Sequence, residues 1–258
     1  MTAPIVAPAD GESTAARPAA PTSAAANAGY RHFHEELETL KQRLLEMAQK
    51  AEALVELSVN ALLQEDEGLA QAVIANDDEL DQLELVVEQL AISLLALQQP
   101  LARDLRFVIG AIKVSSDLER VGDHAVNIAQ STLRLAANRS GLLPTPEISD
   151  MAERAREMLS DSITAFTRSD GALGREVCTR DDQVDSLHES VFRILITHMM
   201  SDPRTINASL EHLLVSRNLE RVADLATNIG EDAVYLAEGK QIKHHVEQWP
   251  SRGIRRTR

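Results

Sequence analysis

From residue 30 onward, apolar positions recur mostly at steps of three or four. Phe33, Leu37, Leu40, Leu44, Met47, Leu54 and Leu57 fall on one face of a helix, which is predicted to run from Tyr30 to about Gln64. A break at Asp66 to Gly68 precedes a second helical stretch that ends before Pro100. The third predicted helix takes Pro100 into its first turn, where the missing N–H is harmless. It passes Gly110 and Gly122, small enough for close helix packing, and ends at the loop Asn138 to Pro144. Thr145-Pro146-Glu147 then reads as an N-cap followed by proline at the first helical position. Residues 1–29, rich in Ala, Pro, Ser and Thr, hold too little apolar surface to offset the entropy of ordering, so they are expected to form a disordered tail.

The same pattern is written twice. At an offset of 104 residues Met47, Ser58, Asp66, Val73, Asp77, Asp81 and Val87 meet identical residues, and the offset falls to 101 at Glu119 and Glu220. A unit of about 100 residues with three helices is therefore duplicated, over residues 30–140 and 145–239. With aromatic residues at 3%, the core must be aliphatic. These features together predict an all-α fold, two three-helix bundles in tandem with six long helices.

The strongest chemical signal is also doubled. Asp117-Leu-Glu-Arg-Val-Gly-Asp-His returns as Asn218-Leu-Glu-Arg-Val-Ala-Asp-Leu. Glu119 and Asp123, like Glu220 and Asp224, are i, i+4 acids stacked on one helix face, with Asn127 and Asn228 extending each stripe. The preceding helix carries a second pair in each repeat, Asp77 with Asp81 and Asp181 with Asp185. Helices joined by a short turn run antiparallel, so residues equally far from the turn lie level. Asp77 and Asp123 are equidistant from Pro100, as are Asp81 and Glu119; in the second repeat Asp181 and Asp224, and Asp185 and Glu220, are equidistant from the Asp202-Pro203 junction. Four carboxylates per hairpin would then face one another. Such a group repels itself unless a cation with oxygen ligands joins it. The competing reading is a solvated helix surface with Arg120 and Arg221 as counter-ions. Asp78 and Asp182 turn away from the seam and are read as solvated or capping.

Net charge then narrows the partners. The formal charge is −14, which excludes nucleic acid as the main ligand. Residues 239–258 carry six Lys or Arg against Glu247 alone, a balance of +5, and are read as a basic C-terminal tail from residue 240. One cysteine, Cys178, cannot form an internal disulfide, and no apolar run is long enough to span a bilayer; a cytoplasmic protein is expected. Asp185-Ser-Leu-His188 alone approaches the carboxylate-x-x-His spacing of di-iron bundles, and its counterpart ends in Glu84. Phosphate loops, dinucleotide fingerprints and nucleophile elbows are missing, so no enzyme is expected.

The two motif copies, the duplication and the run Gln99-Pro100 followed by Asp104-Leu-Arg106 closely resemble the PhoU family of bacterial phosphate-uptake regulators over about residues 30 to 239. That resemblance implies a cytoplasmic homodimer that represses the phosphate-starvation response. It implies an adaptor between the ATPase subunit of the phosphate ABC transporter and a phosphate sensor histidine kinase, touching the membrane only through these partners. It also implies divalent or trivalent metal ions (Mg, Mn, Fe or Zn) at Glu119, Asp123, Glu220 and Asp224, with Asp77, Asp81, Asp181 and Asp185 added by the register argument. The second copy departs from the family pattern at Asn218, Ala223 and Leu225. The alternative is a metal-storage or metalloenzyme bundle using the same acidic seams.

Overall fold

In the computed structural model, which describes residues 23–138 and 141–242, the chain forms six long α-helices. They are α1 (Ser23–Gln64), α2 (Glu67–Gln98), α3 (Ala102–Asn138), α4 (Pro146–Arg168), α5 (Gly171–Ser201) and α6 (Ile206–Glu238), with a 3-10 turn at Pro203–Thr205 before α6. No strand occurs among the described residues. The order is that of a three-helix unit repeated once.

The boundaries differ from expectation at three points. Helix α1 begins at Ser23 rather than Tyr30, because Ser23-Ala-Ala-Ala-Asn-Ala is rich in the best helix former and propensity carries the helix backward. The rest of the predicted tail, and nearly all of the basic C-terminal one, lie outside the described residues. Pro100 is not in the first turn of α3. Gln99 closes α2 in the left-handed region (φ 45°, ψ 57°) and α3 starts at Ala102, since the ring of a proline disfavours helical backbone at the residue before it. Thr145 does sit ahead of Pro146 in extended geometry, but its hydroxyl makes no capping bond and is buried without a partner.

True side-chain caps sit at the start of the second helix in each repeat. Asp66 accepts from Gly68 N (2.8 Å) and Leu69 N (3.0 Å), and Asp170 from Ala172 N (3.0 Å) and Leu173 N (3.1 Å). Each satisfies two amides that the helix itself leaves unpaired.

Within each repeat the three helices pack on one another, and the repeats are joined by α3 against α6 and α1 against α4. The buried aliphatic side chains form one core running through all six helices. Its aromatic point is Phe107 stacked on Phe166, ring centres 5.3 Å apart. A Cβ at Gly110 would stand 2.7 Å from Phe166 Cε2, so that glycine admits the ring. Helices α3 and α6 are central, while α2 and α5 lie outside them, each packed within its own repeat. The acid-bearing hairpins α2/α3 and α5/α6 thus pair an outer helix with a central one.

Candidate functional site

In both hairpins the predicted acids meet across the seam. In the first, burial and then Asp81, Asp123 and Asp78 raise the Asp77 carboxyl above its usual range. Burial raises Glu119 to about 7, helped by Asp123, Glu84, Asp81 and Asp77. Asp77 and Asp81 on α2 therefore act on Glu119 and Asp123 on α3, as the register requires. The level is marked by Gly122, whose added Cβ would lie 3.2 Å from Asp77 Oδ1 and would collide with Leu80.

The second seam repeats this in part: Asp181 interacts with its predicted level partner Asp224, but Asp185 feels Asp224 rather than its predicted partner Glu220. Burial raises Asp181 to about 6, with Asp224, Asp185, Asp182 and Glu220 adding to it. Asp185 is also raised, by burial first and then by Asp224 and Asp182. Asp181 Oδ1 is buried without a hydrogen-bond partner. A partnerless buried carboxylate oxygen is costly, and together with an all-oxygen donor set it fits a hard cation. One observation runs the other way: among the described residues no three His, Cys, Asp or Glu side chains converge tightly enough to hold an ion as they stand. The seams gather the charge without forming a closed ligand cage.

The two copies differ in what their arginine does. Arg221 lies 2.7 Å from Asp224 and 3.8 Å from Glu220, pairing with both motif acids. Arg120, at the same motif position, lies instead 3.5 Å from Asp117. The second copy has Asn218 where the first has Asp117, so Arg221 lacks an acid three residues back and turns to the one three residues ahead. The counter-ion expected as the competing reading thus operates in the second seam.

Other assignments shift. Asn127 does not extend the acid stripe: each i+4 step advances the helix face by about 40°, and Asn127 lines the groove between α3 and α6 instead. His188 is engaged with Ser216 at 3.0 Å. Asp78 and Asp182 are exposed, as read, yet close enough to push their neighbours up. Glu84 belongs to the first seam through its effect on Glu119; its position three residues after Asp81 was the available signal. Two arginines of the α3/α6 groove, Arg120 and Arg221, are the counter-ions named from the motif, whereas Arg134 and Arg217 carry no local signal, because α3 and α6 meet only in the tertiary fold.

The fold is thus a duplicated all-α bundle with a carboxylate seam in each half. The PhoU domain matches residues 44–132 and 148–233, and the chain belongs to the PhoU family. It is 37% identical over 211 residues to a phosphate-specific transport system accessory protein PhoU homolog of Clostridium acetobutylicum, covering 81% of this chain and 96% of that protein. The homolog of Aquifex aeolicus is 39% identical over 215 residues, covering 83% and 97%. Among solved structures, PhoU from Pseudomonas aeruginosa superposes with a TM-score of 0.76 at 36% identity, over 81% of this chain and all of that one. The phosphate transport system regulatory protein PhoU from Streptococcus pneumoniae gives 0.75 at 32% identity, over 81% and 98%. No described helix is long and apolar enough to cross a membrane.

Proposed function

We propose that this protein is an accessory regulator of phosphate-specific transport and a negative regulator of the phosphate-starvation response. It works without catalysis, as a cytoplasmic, homodimeric, metal-binding adaptor between the ATPase subunit of the phosphate ABC transporter and the sensor histidine kinase. The relatives' role in phosphate-specific transport supports the first part. The observation that carries the metal reading is the facing of Asp77 and Asp81 with Glu119 and Asp123, repeated by Asp181 and Asp185 with Glu220 and Asp224.

A bound cation would supply the positive charge these oxygens lack. The chain's own residues do the rest: the carboxylates present hard donors, Gly122 lets α2 approach α3 beside them, and the shared core fixes the two seams relative to each other. An adaptor shifts a partner's equilibrium only by binding its two states unequally, and a seam that changes charge on loading gives the surface two such forms.

Two measurements test this. Deleting the gene should derepress alkaline phosphatase in phosphate-rich medium; low activity in the deletion strain overturns the regulatory reading. Elemental analysis of purified protein should find bound metal that drops in Glu119→Gln/Asp123→Asn, and unchanged content overturns the metal reading alone.

A further inference from the structure

The chain is acidic, yet a groove of about 590 Å³ between α3 and α6 is lined by Arg120, Arg134, Arg217, Arg221 and His124 and by no carboxylate. Cross-repeat contacts join its two walls. His124 Nδ1 donates to Asn218 Oδ1 at 2.9 Å, and Arg134 Nε donates to Glu211 at 2.8 Å. As numbering rises along α3 it falls along α6, so the helices are antiparallel. With an offset of 101 between motif copies, this register brings Arg120 and Arg221 level, at the local pseudo-two-fold axis of the repeats. The symmetry ends there. Arg217 and Arg134 enrich one side of the axis, whereas the equivalent positions on the other are Ser116 and Tyr235, which gives the groove a polarity.

Three of the four arginines have carboxylate partners outside the lining, Asp117, Glu211 and Asp224. Among the described residues Arg217 has no ion-pair or hydrogen-bond partner. Both walls are helix interiors, whose amides are already spent on their own helices, so recognition falls to guanidinium side chains rather than to the backbone amides that cradle a small anion. The volume is that of a ligand far larger than a single ion. Leu214, 44% exposed, lines the groove, and Leu210, 46% exposed, follows one turn away on α6, offering an apolar contact that an inorganic anion cannot use.

We infer that the α3/α6 groove is a docking site for an acidic amphipathic segment of a partner protein, its carboxylates on Arg120 and Arg217 and its apolar side chains on Leu214 and Leu210. On a chain of net charge −14 such a cluster of arginines with no carboxylate in the lining also favours where an acidic segment lands.

The experiment is fluorescence anisotropy with the full chain and a short fluorescein-labelled helical peptide of glutamate and leucine, with a glutamine-for-glutamate peptide as control. The acidic peptide should bind, weaken with added salt, and lose about tenfold in affinity with Arg217→Gln and more with Arg120→Gln/Arg217→Gln, as the loss of charge-assisted bonds requires. Leu214→Ala should also weaken it. All these side chains are partly or well exposed, and unchanged helical circular dichroism and melting will show that the variants fold. No binding, equal binding of the neutral peptide, or variants indistinguishable from the parent would overturn the assignment. Displacement by inorganic phosphate at matched ionic strength would overturn it in favour of a small-anion site.

Discussion

Glu119 and Arg221 show how two similar motif copies acquire different chemistry from single neighbours. Glu119 is pushed to about 7 chiefly by burial, then by the acids around it, so folding takes up a proton there. The stabilisation from that uptake is complete below the unfolded value near 4.5 and is lost as pH rises through about 7. Asp181 adds to this with its own loss, through about 6. Metal-free protein should therefore melt higher at about pH 6 than at about pH 8, and Glu119→Gln should flatten that dependence, as scanning calorimetry across the range will show. In the second copy the guanidinium competes for Glu220 and Asp224. On the metal reading, Arg221→Gln should strengthen cation binding at that seam, measured by titration calorimetry, whereas Arg120→Gln should leave the first seam nearly unchanged.

Among the elements, the two hairpins close at different heights. A Cβ at Gly174 would lie 2.6 Å from Gly230 O, and one at Gly230 2.9 Å from Gly174 O, so α5 and α6 touch backbone to backbone there. The first repeat has Ala70 and Ala129 at those positions and makes its tight approach at Gly122, where the second has Ala223. Gly174→Ala should cost about 1 to 3 kcal/mol in chemical denaturation, since the backbone must move. The caps supply a milder test. Asp66→Ala and Asp170→Ala should each cost about 0.5 to 2 kcal/mol and should add when combined, because they cap different helices.

For the molecule as a whole, the shared core predicts cooperative behaviour. Phe166 of α4 packs on Phe107 and against Gly110 of α3, tying the second repeat into the first. Phe166→Ala should lower stability by about 3 to 5 kcal/mol while unfolding keeps a single transition by both calorimetry and circular dichroism. Two resolved transitions would mean the repeats fold as separate units.

The chain's own pattern determined the helices, the duplication and the facing acids. Helical periodicity and distance from a turn are local quantities, so equal spacing about Pro100 and about Asp202-Pro203 was enough to bring Asp77 level with Asp123 and Asp181 with Asp224. Local reading missed backbone and helix-drift detail, as when Gln99 ended α2 and left Pro100 outside α3, and when Asn127 turned off the acid stripe into the α3/α6 groove. Tertiary structure alone decided the fusion of the two repeats into one core, the different partners of Arg120 and Arg221, and the arginine-lined groove. These join residues about a hundred positions apart, across α3 and α6, whose meeting is set by how two amphipathic units bury their remaining apolar faces and not by any periodicity within either one.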